Sequence, residues 1–196
     1  MAAGFRFPKH KQDNRSSTPA AHLGSWHLSS GDLMVTRDTR NQLPEVEPIM
    51  NELFEHVQTK VVPPICEALL HHAPQVLPKM QKAHEYAKEN VRKEHQAYYE
   101  PVDFGGMFFT LAIKEGSSER LHIDFNDHPH SLTWLVPFGE WTGGDFVVPQ
   151  LGAVVPVRSG QILGAMTRVL LHCGTPITSG RRLVLTCFTD NTLIRT

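Results

Sequence analysis

Two histidines, one aspartate and one arginine carry the most chemical content in this 196-residue chain. They are His122-x-Asp124, His172, and Arg182 ten positions beyond His172. Two imidazoles and one carboxylate on neighbouring strands make a facial triad, which suits Fe(II) and leaves positions open to a bidentate cosubstrate and O2. Arg182 suits the far carboxylate of 2-oxoglutarate, because a guanidinium binds carboxylates through two parallel hydrogen bonds and keeps its charge. On a strand, residues i and i+2 share a face, so His122 and Asp124 are expected to point together while Ile123 points away. The same alternation groups Arg182 with Val184 and Thr186 on an inward face and turns Arg181 outward.

Rival constellations among the twelve histidines each lack something. His128-x-His130 has the spacing of a cupin pair, but Trp134 and Leu135 stand where the following Glu ligand belongs. The segment Asp127-His128-Pro129-His130 reads as a hairpin turn because of its proline. His71 and His72 are adjacent on an expected helix and face different ways. No HExxH, P-loop or GxGxxG is present, which excludes zincin and nucleotide-cofactor readings. Cys173, beside His172, is read as packing.

The elements that must position these residues fall into two textures. Val46, Ile49, Met50, Leu53 and Val57 recur at helical spacing, so a helix is expected from Glu45 to about Lys60, ended by Pro63 and Pro64. A second is expected over Ile65–His72 with Leu69 and Leu70 inward. A third is expected from Pro74 to Ala97, burying Val76, Met80, Tyr86 (or Ala83) and Val91. After Pro101 the chain turns β-branched, aromatic and glycine-punctuated. Strands are expected at Met107–Ile113, Leu121–Phe125, Leu132–Phe138, Asp145–Val148, Ala153–Val157, Gln161–Ala165, Val169–His172 and Leu183–Thr189, with turns at 174–176 and 179–180. Short strands at regular spacing without helices between them predict an α+β fold: a double-stranded β-helix (jelly-roll) core buttressed by N-terminal helices. The expected division is an arm over 1–30, a helical buttress of the same domain over 31–100, and a catalytic core over 101–196. Phe104, Met107, Phe109, Trp134 and Trp141 are candidates to line a substrate cavity, although core packing is the commoner fate of such residues.

Composition sets the outer bounds. With 40% apolar residues the chain can bury one good core. A net charge of −1 and a pI near 6.9 carry no global basic signature. Cations do cluster locally: Arg6, Lys9, Lys11 and Arg15 stand against Asp13 in the first twenty residues. Three cysteines without CxxC spacing disfavour a disulfide scaffold or zinc ribbon and suit a reducing, intracellular setting. No apolar run is long enough to span a bilayer, so no membrane partner is expected.

The stretch WTGGDFVVPQLG…VPVRSGQILG…LLHCGTPITSGRRLVLTCF, within residues 141–188, resembles Fe(II)/2-oxoglutarate dioxygenases of the TET/J-binding-protein branch. It is most similar to the branch members abundant in mushroom-forming fungi. Their Gly-Gly-x-[Leu/Phe] step, Pro-x-Leu-Gly turn, Arg-x-Gly strand and His…Gly-x-Arg ending have counterparts here. These are Gly143–Phe146, Pro149–Gly152, Arg158–Gly160, and His172 to Gly180–Arg182. The likeness covers roughly residues 104–190. It implies Fe(II) on His122, Asp124 and His172, 2-oxoglutarate on Arg182, O2 as cosubstrate, and succinate and CO2 as coproducts. It further implies oxidation of a methyl group on a modified DNA base, 5-methylcytosine or N6-methyladenine. Lys9, Lys11, Arg15, Arg120 and Arg168 would then be available to phosphates, and a monomer is expected. The chain departs from metazoan members, whose cysteine-rich zinc-binding extension three scattered cysteines cannot build. That departure leaves room for a protein-residue hydroxylase or a small-molecule oxygenase of the same fold.

Overall fold

Phe54, Ile65, Met80 and Phe104 are buried in one part of the chain, and Phe146, Val157 and Val184 in another. The computed structural model describes residues 18–27 and 31–193, and within them mixes helices with antiparallel sheet. The chain divides into two compact units. One is built on His22–Leu111 with residues 189–193; the other is built on Ala112–Phe188 with residues 18–21.

The first unit holds β1 (Ala20–His27, from His22), β2 (Leu33–Val35), α1 (Arg37–Arg40), α2 (Glu47–His56), α3 (Val62–His72), α4 (Leu77–Asn90) and α5 (Gln96–Tyr99). Within the flexible or extended arm expected over 1–30, Ala20–His27 form a strand, while 1–17 and 28–30, with Lys9, Lys11 and Arg15, lie outside the described residues. Ala21, Leu23, Ser25 and His27 alternate inward, but only two of the four are apolar, so the period was hidden.

Pro63 and Pro64 do not end the first helix. A π-turn over Val57–Val61, closed by the Val62 N–H bonding to the Val57 carbonyl, joins α2 to α3. Both prolines then fall in the first turn of α3, where no intrahelical N–H is missed. Leu70 and Ile49 are exposed rather than inward, and Phe54 takes a core position instead. The third helix stops at Asn90, not Ala97, because Val91 bridges Leu33 and the Arg92 N–H bonds to the Leu33 carbonyl at 3.1 Å. Its buried stripe is Leu77, Met80, Ala83 and Ala87, with Tyr86 exposed.

The regular structure of the second unit is sheet, apart from a short 3-10 turn at Pro149–Leu151. β3 (Thr110–Glu115, from Ala112), β9 (Ile177–Phe188), β4 (Thr133–Gly143) and β7 (Leu163–Ala165) lie in the order β3-β9-β4-β7. A second sheet runs β6 (Ala153–Val155), β5 (Phe146–Val148) and β8 (Cys173–Gly174). Side chains of both sheets meet in one cluster: Phe146, Val148, Val157 and Ala165, flanked by Leu135, Val155, Leu163 and Leu170. This is two antiparallel sheets face to face over an apolar filling.

Three expectations change. Leu121–Phe125 is not a full strand, and neither is Val169–His172; each contributes a single bridge, His122 to His172. The expected turn at Ser179–Gly180 lies inside β9, where Gly180 pairs with Trp141 and Ser179 with Thr142. Gly180 has φ +76°, and a Cβ there would stand 2.1 Å from the Glu140 carbonyl oxygen, so the glycine permits the pairing that lengthens the strand.

Candidate metal centre

His122 and His172 are brought together by their own backbones. Each donates its N–H to the other's carbonyl at 3.0 Å, which places the two imidazoles 4.3 Å apart between centroids. Asp124 is anchored on the same partner segment, its N–H bonding to the Thr167 carbonyl at 3.1 Å. Ligand atoms of the three side chains all lie within 4.8 Å of one another. The His172 Nε2 is 3.5 Å from Asp124 Oδ2, and the His122 Nε2 is 3.9 Å from Asp124 Oδ1.

The imidazoles are held in the form a metal requires. The His122 Nδ1 lies 2.7 Å from the Arg120 carbonyl and the His172 Nδ1 lies 2.9 Å from the Leu170 carbonyl. A carbonyl only accepts, so Nδ1 carries the proton in both rings and Nε2 is the nitrogen left for a metal, on the side of Asp124. The Phe146 ring stacks on His172 at 5.2 Å and 29°, fixing the plane of the imidazole from β5.

Beneath Asp124 lies a buried polar triangle. Asp127 Oδ2 accepts from the Thr133 hydroxyl at 2.6 Å and the Thr167 hydroxyl at 3.0 Å, and the two hydroxyls are 2.8 Å apart. The Asp127 N–H bonds to the Asp124 carbonyl at 3.0 Å, so the triangle ties the ligand-bearing turn to β4 and to the 166–170 turn.

Arg182 and Arg181 part company. Arg181 is exposed and bound by both carboxylate oxygens of Glu115, at 2.8 and 3.0 Å. Arg182 is only 6% exposed, with Nη1 donating to the Gly116 carbonyl at 2.9 Å and its guanidinium 5.7 Å from the Trp141 ring centroid. Its Nε is buried with no hydrogen-bond partner among the described residues, and burial pushes its pKa below the ordinary arginine value. A buried cation with an unsatisfied donor calls for an anion. Gly144 leaves room for the Arg182 side chain: a Cβ there would meet it at 3.1 Å and the Ile177 Cδ1 at 2.6 Å.

The solved structure of "NgTET1 in complex with 5mC DNA" matches 90% of this chain at a TM-score of 0.62 and 16% identity. The fold is TET-like. The chain spans 62% of the length of that TET chain. A 2OG-Fe(II) oxygenase family oxidoreductase from Burkholderia pseudomallei is also similar, with 14% identity over 95% of this chain and 73% of its own, at a TM-score of 0.43. No family model and no curated protein matches the sequence.

Within this TET-like fold His128 is buried and takes part in a turn, its Nδ1 accepting the His130 N–H at 3.2 Å, so the His128/His130 pair does not join the triad. Trp134 is core, packed over Gly164. Phe104, Met107 and Phe109 are core residues of the first unit, and Trp141 alone among the cavity candidates stands beside a site residue. Sequence reasoning gave no role to the Asp127–Thr133–Thr167 triangle, and it met Gly144 and Phe146 only as part of the Gly143–Phe146 step, without their contacts to Arg182 and His172.

Proposed function

We propose that this chain is an Fe(II)/2-oxoglutarate-dependent dioxygenase that oxidises the methyl group of a modified DNA base, 5-methylcytosine or N6-methyladenine. The observation that carries the reading is the donor set. Two Nε2 lone pairs and one carboxylate converge, and a buried guanidinium with an unsatisfied Nε lies in the same unit. Two imidazoles and a carboxylate are the ligands of non-haem Fe(II) oxygenases. The face-to-face sheets and the TET-like fold support a jelly-roll core around them. Bound Fe(II) and 2-oxoglutarate supply the oxidant that removes hydrogen from a C–H bond, with succinate and CO2 as coproducts.

The chain's own share is positioning. His122, Asp124 and His172 hold the ion on one side, their orientation set by the Arg120, Leu170 and Thr167 carbonyls. Arg182 pairs with the distal carboxylate of 2-oxoglutarate, which supplies the acceptor its Nε lacks. DNA as substrate draws on the likeness in fold to a TET protein solved in complex with 5mC DNA.

Incubation with Fe(II), 2-oxoglutarate and methylated duplex DNA, followed by nucleoside mass spectrometry, tests this. Oxidised 5-methylcytosine, or loss of N6-methyladenine, is expected, and both vanish in His122→Ala. Succinate formed at a rate indifferent to DNA would keep the oxygenase and discard the nucleobase. Turnover of 2-oxoglutarate by His122→Ala at the parent rate would discard the metal assignment.

A further inference from the structure

Phe125 is 68% exposed, and it directly follows the candidate ligand Asp124. The Arg168 guanidinium lies over its ring, 5.4 Å from the centroid. Arg168 in turn follows Thr167, whose carbonyl anchors the Asp124 N–H and whose hydroxyl anchors Asp127. The two turns that build the triad therefore meet at their tips in one aromatic–cationic pair. Their other exposed apolar side chains are Leu121, beside His122, and Met166 and Val169, either side of Thr167 and Arg168. Core packing does not explain a phenyl ring this exposed, and apolar surface concentrated beside a site marks a contact surface.

We propose that Phe125 and Arg168 form a nucleotide platform at the rim of the triad. The ring stacks on a base of methylated DNA and the guanidinium takes the adjoining phosphate. This rests on the DNA reading above and names the residues that would carry it. Charge decides the occupant. Elsewhere in the second unit Arg181 is bound by Glu115, Arg158 faces Asp145 at 3.7 Å, and Arg182 is buried. Among the described residues no carboxylate pairs with Arg168, so a flat ring and an unneutralised cation stand side by side. A base and its phosphate match that pair in shape and charge, since every base offers a π-face and every nucleotide an anion. An apolar peptide would leave the guanidinium without a partner.

Binding can be read without turnover. Fluorescence anisotropy with a methylated oligonucleotide, single-stranded and duplex, is measured on the metal- and 2-oxoglutarate-loaded protein across a salt series. Phe125→Ala and Phe125→Leu are expected to weaken binding about tenfold, with Phe125→Tyr close to the parent. Loss of one phosphate contact in Arg168→Gln should make the slope of log affinity against log salt shallower by about one. In steady-state oxidation, KM for DNA should rise more than kcat falls. Parent-level binding by Phe125→Leu and Arg168→Gln, in a protein that does oxidise methylated DNA, overturns the platform and leaves the function standing. A parent protein that forms succinate but neither binds nor oxidises the DNA overturns both.

Discussion

Each imidazole of the triad has one nitrogen committed to a backbone carbonyl two residues away, His122 to Arg120 and His172 to Leu170. That commitment decides the tautomer before any ion arrives, so metal binding need not reorganise the rings. Arg182 is the opposite case: its charge is buried and its Nε unsatisfied, a cost that an entering anion would offset. Arg182→Lys keeps the charge and removes the fork. KM for 2-oxoglutarate is expected to rise roughly ten- to a hundredfold with a smaller effect on kcat, since a charge-assisted pair is worth about 1.5–3 kcal/mol. Steady-state kinetics on 2-oxoglutarate check it, and an unchanged KM would remove Arg182 from the cosubstrate's site. At this scale the sequence was legible for the meeting of His122, Asp124 and His172 and for the inward turn of Arg182, because residue type and alternation are local properties of the chain. Phe125 and Arg168 were legible only as separate residues; that they touch depends on the meeting of two turns that lie far apart in the chain.

The elements follow partners more than propensity. The HxD segment contributes one bridge rather than a strand, and its shared facing comes from two anchors, His172 and Thr167. β9 outgrew its expected length because β4 pairs with it from Trp134↔Cys187 to Gly143↔Ile177, across residues whose glycines read as turns. The π-turn at Val57–Val61 likewise hid in the sequence, since proline breaks a regular helix and gives no sign that a five-residue turn will absorb it. β5 was legible, since Phe146 and Val148 alternate inward as their spacing implies. Gly144 is the element-scale position to test. Its φ is +70°, and a methyl group would press on Arg182 and Ile177. Gly144→Ala is expected to destabilise by roughly 1–3 kcal/mol and to raise KM for 2-oxoglutarate. Urea unfolding and kinetics measured together separate the effects: lost stability with an unchanged KM would mean that Arg182 does not depend on this clearance.

For the molecule, the division at β3 assigns the whole triad, Arg182 and the apolar cluster around Phe146 to one unit. A metal ion held by that unit binds the folded state and not the unfolded chain, so it must stabilise it. Redox-inert Mn(II) or Zn(II) at a hundredfold excess over Kd is expected to add about 2.7 kcal/mol to the transition that carries this unit. Calorimetry with and without metal checks this, and His172→Ala should abolish the shift; a shift that survives in His172→Ala would locate the ion elsewhere. Among the described residues no helix is long and apolar enough to cross a membrane.

From residue types and spacing alone came the donor set, the choice of Arg182 over Arg181, and the mixed helix–sheet class. Those depend on chemistry and on local periodicity, which a single chain carries openly. Only the folded chain decided that His122 and Asp124 share a face without a strand, that Phe146 steadies His172, that Gly144 makes room for Arg182, and that Phe125 and Arg168 meet. Each of these depends on contacts between distant segments, and no local pattern encodes which distant backbone will supply the carbonyl.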